Sequence, residues 1–391
     1  RLWRQANLTS APAQVQAYVL NSSITAVGAL SQTATSNQSI DALVVSGSAA
    51  ISAGGVGVSV SGAGVGAENA ISTQVRAFIN GDGASGIQAA SVSLAADDTS
   101  SITAIAGAAS IGGAFGGGGV AVSVGVSVAT NEISNDVAAF INAANNQVKS
   151  TSGDITVRAT ENASIEAISA AASLAAGVGG VAVSVSGAGA DATNIILTKT
   201  NAYVSVGSKL DSAQDVVLAA TNTATIDATV VAASASVAVG GVAVGASIGS
   251  ATAKNFIGWT RDGVRTPTEV RAYVTGSAIA ADRDLIQSAT AVESVNALVL
   301  SGSVALAVGG VGVAASGAGA DAVNKVANRV QSSIASSTGS HIQIDRNVTL
   351  TASDTSTIVA EVGAASVAGA AGVIGVAVSI GVSLATNDIS N

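Results

Sequence analysis

Side chains that could carry out catalysis are few in this 391-residue chain, and they are scattered along it. His341 is the single histidine and cysteine is absent, so the sequence predicts neither a catalytic triad of the usual type nor a zinc site. The carboxylate pair Asp97-Asp98 stands in the stretch DDTSS, which has the composition of a turn. We interpret His341 and this pair as solvated turn residues, and we predict no catalytic residue and no enzyme.

A glycine-rich segment, Gly62-Ala63-Gly64-Val65-Gly66, has the glycine spacing of a nucleotide-binding loop. That fingerprint also needs a preceding strand, a following helix and an acidic residue about 20 positions further on. The segment instead occurs in six versions along the chain, and no lysine-serine pair of a phosphate-binding loop follows it. We therefore interpret these residues as strand glycines of a repeat and predict no cofactor.

Calcium is the one metal that the sequence leaves open. Asp191 and Asp321 recur in the motif GAGAD, but Ca²⁺ requires six to eight oxygen ligands at one point. The calcium-binding nonapeptide and the EF-hand loop are both absent. Calcium binding is kept as a minor alternative, and no metal ligand is predicted.

The composition argues against nucleic acid and membrane as partners. The net charge is −9, only 10% of the residues are charged, and no basic run occurs, so no nucleic-acid partner is expected. The uncharged runs 99–131 and 362–387 are interrupted by serines and, in the first, by GGGG, so no membrane-spanning segment is expected. Methionine and a leader sequence are absent, which favours an internal or processed piece of a longer protein.

Internal repeats dominate the sequence. The segment GGVAVSVSGAGADATN (179–194) has relatives in all six units, and each relative ends in asparagine. The chain is therefore predicted to be one continuous array, 1–391, because repeats that cannot bury their apolar face alone must stack. Asparagines at equivalent corners of the coils are predicted to form a hydrogen-bonded ladder. These residues are Asn69, Asn131, Asn194, Asn255, Asn324 and Asn387.

A longer period lies above this one. Unit one resembles unit five and unit two resembles unit six, which gives a superrepeat of four units and about 255 residues. A loop containing tryptophan and proline recurs at this period, at 1–14 and 258–269, and we predict that it makes specific contacts, because Trp and Arg are enriched at interfaces. The units span approximately 15–74, 75–136, 137–199, 200–269, 270–329 and 330–391. The predicted contact residues are Trp3, Arg4, Pro12, Trp259, Arg261, Arg265 and Pro267.

Period-two alternation predicts strands. In 181–186 valines alternate with Ala and Ser, which places valine on one face of a strand, predicted to be the buried one. We predict an all-β fold, a repetitive β-solenoid or β-helix rod with about four short strands per unit. Coils of roughly 20 residues, three per unit, would give a rod roughly 90 Å long at about 4.8 Å per coil. The alternative is a stack of long antiparallel β-hairpins that turn at the Gly-Gly pairs.

The repeats also resemble a family. The stretches STSGDITVRATENASIEA (150–167) and SAQDVVLAATNTATIDAT (212–229) are similar to repeats of large bacterial filamentous adhesins. These include filamentous-haemagglutinin-like proteins, leukotoxin-type filamentous adhesins and autotransporter passengers. The resemblance covers essentially every unit in pattern and composition. It implies a secreted β-solenoid stalk or fibre at a Gram-negative cell surface, and it carries over no catalytic residue.

These observations lead to a structural expectation. The chain is expected to be the repeat region of a giant secreted or cell-surface fibre or adhesin, and to self-associate along or beside the rod into filaments or a sheath. One alternative is a module that binds glycans or a host surface through its lateral loops. Another is a carbohydrate-active enzyme, which would need acids clustered on one face, whereas the acids of this sequence are scattered.

Overall fold

The computed structural model describes residues 11–335 and 341–390, and all regular structure in this part of the chain is β-strand. The tryptophan loop at the chain start therefore lies mostly outside the described residues, including Trp3 and Arg4. The strands are β1 Ala13–Leu20, β2 Ile24–Thr25, β3 Leu30–Asn80, β4 Ile87–Ala89, β5 Val92–Asn142, β6 Val148–Ser150, β7 Ile155–Ser205, β8 Lys209–Ser212, β9 Val216–Ile257, β10 Thr268–Thr275, β11 Ala278–Ala281, β12 Leu285–Val326, β13 Asn328–Ala335, β14 Ile342–Ile344, β15 Val348–Ala371 and β16 Ile374–Ile389.

Each long strand pairs in parallel with the long strand of the next unit. The register runs without a slip from Leu30↔Val92 to Asn80↔Asn142, and it continues in the same way through the later units. The short strands β2, β4, β6, β8, β11 and β14 form a second parallel sheet. The fold is therefore an all-β parallel solenoid, as predicted.

One sequence unit forms one coil, so the prediction of three coils of about 20 residues per unit is wrong. Residues paired between neighbouring coils are 60 to 70 positions apart. Most of the Gly- and Ser-rich runs lie inside strands of up to 51 residues and do not separate coils. Six coils at about 4.8 Å extend about 29 Å along the axis, not 90 Å. The coils begin at Leu30, Val92, Ile155, Val216, Leu285 and Val348 and are numbered one to six in this order.

Every coil bends back on itself at a glycine pair or, in coil six, at Gly372-Val373. Serines 13 residues apart face each other across this bend and are hydrogen-bonded, so each coil has an outbound layer before the bend and a return layer after it. The alternative prediction placed the turn correctly but the pairing wrongly, because the backbone pairs between coils and in parallel. The serine pairs are Ser48–Ser61, Ser110–Ser123, Ser173–Ser186, Ser234–Ser247, Ser303–Ser316 and Ser366–Ser379, with Oγ–Oγ distances of 2.6 to 2.9 Å.

At the open end of the coils the cross-section is three-sided, and we call this region the base. In coil three it consists of 155–161, 198–205 and the short strand β8. Its interior holds large aliphatic side chains such as Ile155, Val157, Val204 and Leu210, none more than 3% exposed. The base has three sides, two from the folded sheet of long strands and one from the sheet of short strands. They leave a space that these side chains fill, and the burial of these side chains stabilises the base.

The rest of each coil is a two-layered sheet that we call the blade, residues 163–194 in coil three. Toward the bend, the small residues face the interior and the valines face outward, which is the opposite of the prediction. Ala182 and Ser184 point inward and are 0% exposed, whereas Val181 and Val185 point outward and are 54% and 40% exposed. The predicted burial of the valines is therefore right in the base and wrong in the part of the blade toward the bend, whereas Val230 and Val299, in the part of the blade next to the base, are buried.

The close approach of the two layers explains this inversion. Toward the bend, serine hydroxyls meet across the blade at hydrogen-bonding distance, which leaves room there only for methyl, hydroxyl or hydrogen substituents between the layers. Next to the base, the layers still hold Ile165. Near the bend, a Cβ on Gly119 would lie 2.8 Å from the carbonyl oxygens of Ala114 and Val178. Valine does not fit such a space, so the pleat turns it outward.

Candidate functional site

An asparagine ladder runs along the axis where the blade meets the base. The Nδ2 of each asparagine donates to the Oδ1 of the asparagine in the next coil at 2.8 to 2.9 Å, from Asn69 to Asn387. The four inner members are 0% exposed. The structure thus contains the ladder that the sequence predicted, but it lies within the long strands and not at corners. Because each amide needs its neighbour in register, the ladder opposes slippage of one coil against the next.

Beside the ladder lies a buried cluster around Glu161. Asn135 Nδ2 is 3.0 Å from Glu161 Oε1 and 2.8 Å from Asp98 Oδ2, and the hydroxyl of Ser100 donates to Asp98 at 2.7 Å. Asp98 is only 2% exposed and lies in β5, so the interpretation of Asp97-Asp98 as a solvated turn is wrong. The composition of this stretch favours a turn, but pairing with the parallel strands of the neighbouring coils makes it a strand.

Burial, and then the negative charge of Asp98, raise the pKa of Glu161 well above its usual range. Glu161 Oε2 is buried with no hydrogen-bond partner. A proton on this oxygen removes the buried charge and supplies a donor toward Asp98, so the neutral acid is the form that suits this site.

A second cluster of the same kind surrounds Glu293. Asn222 and Asn328 donate to its two carboxylate oxygens at 3.2 and 2.6 Å, and Asn328 also donates to Asp354 at 3.1 Å. Burial, and then the charge of Asp354, raise the pKa of Glu293 to about 7, against the lowering effect of the hydrogen bonds from Asn328, Asn222 and Ser356. These interior acids hold the junction between base and blade and are only 0 to 1% exposed, so they do not face solvent.

An aromatic column stands on the outer face of the base. Its five rings stack with centroids 4.8 to 5.1 Å apart and interplanar angles of 2 to 8°. Burial, and then the neighbouring Tyr273, raise the pKa of Tyr203 to about 12. Because the ring faces cover one another, only their edges point outward, and a sugar ring cannot stack on them from the side. The members are Tyr18, Phe78, Phe140, Tyr203 and Tyr273.

This column was not predicted from the sequence, although the sequence contains its signal. The recurring marks VQAYV, VRAFI, VAAFI, NAYV and VRAYV each carry Phe or Tyr at the same register position. The serines placed symmetrically about each bend were a further signal in the sequence, because they pair across the blade. They become neighbours only when one whole unit forms one coil.

The second tryptophan loop packs on its own chain. The Trp259 ring lies under Lys325, whose Nζ is 4.5 Å from the ring centroid, and the Trp259 backbone bridges to Arg265. Arg261 Nη2 is 3.3 Å from Thr130 Oγ1 in coil two, and Arg265 Nη2 donates to the Ser390 carbonyl at 2.7 Å in coil six. The loop therefore joins coil four to coils two, five and six.

The remaining predicted positions are dispersed. Pro12 and His341 are exposed, and Pro267 is partly buried. Asp191 and Asp321 lie in coils three and five, so the spacing of coils separates them by about 9.6 Å along the axis. Burial raises the pKa of Asp191 against the opposing charges of Lys254 and Arg261. In the described ranges no group of three or more acidic or histidine side chains could hold a metal ion.

No protein-family model matches this chain, and no curated protein or solved structure does either. Within residues 11–335 and 341–390 there is no helix with the length and apolarity needed to cross a membrane. The arrangement that the described residues share from coil to coil is thus a set of axial ladders of amides, hydroxyls and aromatic rings.

Proposed function

We propose that this chain is a length of shaft in a secreted or cell-surface fibre or adhesin of the filamentous type, and that its function is mechanical. It is not proposed to be an enzyme. The observation that supports this most directly is the unbroken parallel register of five successive coil pairs. Each coil offers the next a complete edge, so the same packing can be repeated to build a longer object.

The geometry suits a load-bearing ribbon. Backbone hydrogen bonds between parallel coils are directed along the axis, and a 51-residue strand presents a long row of them to its neighbour. An outbound layer of 24 residues such as 155–178 is about 80 Å wide at about 3.3 Å per residue. Because the blade is two layers thick, we expect the shaft to resist bending within the plane of the blade far more than bending across it.

Electron microscopy with gold-labelled antibodies against this chain tests the proposal. On cells that produce the protein, and on their secreted material, we expect label along extended fibres outside the cell. The purified chain should appear as a flat plate, longest in the strand direction. Label confined to the cytoplasm, or located on compact particles, would contradict the proposed shaft.

Binding to glycans or a host surface through the lateral loop is the second candidate. It is favoured by the exposed side chains of Arg261 and Arg265 on a chain of net charge −9. If the loop binds, Arg261→Gln/Arg265→Gln should abolish retention on a glycan array while fibres persist. Arg158→Gln, which removes an exposed arginine from the base of coil three, is the matched control. Unchanged retention in the double variant excludes this loop as the binding element.

A further inference from the structure

Packing within the chain does not require glycine at six positions on the outer face of the return layers. A Cβ added at Gly64, Gly187, Gly189, Gly317 or Gly319 would meet nothing within 4 Å, and at Gly62 only a carbonyl oxygen at 4.0 Å. Glycine in a strand interior weakens the strand. A residue type that costs stability and is not needed for internal packing indicates a requirement outside the chain.

Large apolar side chains occupy five of the six matching positions in the alternate coils, and the sixth is Ser250 in coil four. Val124 and Val126 of coil two are 43% and 41% exposed, and Ile248 of coil four is 64% exposed. In coil six, Ile380 and Val382 occupy these positions. At these two positions of each coil, the outer return face therefore carries glycine troughs on coils one, three and five and aliphatic ridges on coils two, four and six, with a period of about 9.6 Å.

This pattern of troughs and ridges is complementary to the same pattern on a second copy of the chain. A second copy turned about a two-fold axis that lies in the face and parallel to the strands brings coil one opposite coil six, coil two opposite five and coil three opposite four. Every ridge then faces a trough of the other copy, and the contact closes after two copies. Rotation about the solenoid axis would instead oppose ridge to ridge.

The area of this face and the charges at its edge are suited to binding a second copy of the chain. The outer return face spans eleven residues, 56–66 in coil one, or about 36 Å by 29 Å over six coils, which is about 1,000 Å² per copy. Two copies would bury about 2,000 Å², more than the roughly 1,600 Å² of a standard stable interface. At the edge of the face, Arg261 reaches Thr130 on coil two, and the two-fold places it opposite coil five, which carries Asp321.

We propose that the outer face of the return layers is a homotypic interface, in which the glycine troughs of one copy receive the Val and Ile ridges of a second copy. This inference rests on the proposed fibre and deepens its self-association. Since the two axes run in opposite directions, the contact joins shafts that point toward each other.

The first test fills two troughs and measures association by sedimentation. Gly317→Val/Gly319→Val should weaken dimerisation of the full chain about tenfold or more, because these side chains would occupy the space of the partner's Val124 and Val126. Gly47→Val/Gly302→Val is the matched control, since these glycines are also open, on the outer face of the outbound layers. Removing the opposing ridges with Val124→Gly/Val126→Gly in the filled variant should restore part of the association. A monomeric wild-type chain, or equal effects of filling and control, would overturn the proposal.

A second test uses the absence of cysteine from the chain. Val126 and Gly319 lie three coils apart, so a cysteine at each position cannot form a disulfide within one copy, but the two-fold brings them together between copies. Val126→Cys/Gly319→Cys should yield a covalent dimer on mild oxidation, and Ile111→Cys/Val304→Cys, on the outbound face of the same coils, should not. Equal yields from both variants, or none from the first, would contradict this interface. Either failure leaves the fibre labelling intact, so it is distinguishable from a failure of the shaft.

Discussion

The base and the blade of each coil are built from the same alternating pattern but bury opposite halves of it. In the base, Val157 is 0% exposed and Val, Ile and Leu fill much of the interior. In the blade toward the bend, Val185 is 40% exposed and the interior is Ala and Ser. The three sides of the base enclose a space that large side chains fill, whereas the two layers of the blade, joined by serine pairs, do not. The distance between the sheets, and not hydrophobicity alone, decides which residues are buried.

The largest effect should come from removing volume in the base. Leu218 is 0% exposed, and Leu218→Ala should lower the free energy of unfolding by about 2–5 kcal/mol, because it leaves a cavity. Val185→Ala on the outer face of the blade should cost under about 1 kcal/mol. Denaturant unfolding of both variants measures the difference, and equal costs would show that the blade valines are as buried as the base leucines.

The junction between the two regions should make stability depend on pH. The pKa of Glu293 is raised to about 7 from 4.5, so its contribution is fully favourable below pH 4.5 and is lost as pH rises through 7. At about 1.4 kcal/mol per pKa unit, the chain should be less stable at pH 8 than at pH 4.5 by on the order of 3 kcal/mol from this group.

Glu161, whose pKa is also raised, should act in the same direction. Glu293→Gln should flatten much of this dependence, while Glu166→Gln, on the exposed outer face, should leave it in place. Denaturant midpoints measured across this pH range provide the data. A chain that gains stability from pH 4.5 to 8, or a Glu293→Gln variant with the wild-type profile, would contradict the neutral buried acid.

A larger side chain inside the blade should lower the free energy of unfolding, just as a smaller side chain inside the base should. Ala182 is 0% exposed between the layers, and Ala182→Leu should cost about 1–3 kcal/mol through overpacking. Ala176→Leu, in the same coil but pointing outward and partly exposed, should be nearly neutral. If thermal unfolding shows that both are tolerated, the layers are further apart than the serine pairs indicate.

Substitutions at one serine pair should separate hydrogen bonding from packing within the blade. Ser173→Ala leaves the buried hydroxyl of Ser186 without its partner and should cost about 1–3 kcal/mol. Ser173→Ala/Ser186→Ala replaces both hydroxyls by hydrogen and should recover part of that loss. A double variant whose cost is the sum of the two single costs would mean that the hydroxyls do not interact.

Much of this architecture could be predicted from residues that recur. The asparagines from Asn69 to Asn387 gave the register, and the glycine pairs marked the bends. The length of the coil could not be predicted, because a Gly- or Ser-rich stretch has the same composition in a turn and inside a strand. Asp98 shows the consequence, since its turn-like surroundings belong to a strand whose neighbours are in other units.

The sequence by itself determined that the chain is an all-β repeat with its units in register, since period-two alternation and the spacing of the asparagines are properties of the chain alone. Only the tertiary structure decided which side of each strand is the interior. The pleat offers two faces, and the choice between them depends on how closely a second layer approaches. That distance is set by contacts such as Ser173–Ser186 across the bend and by neighbours more than 60 residues away.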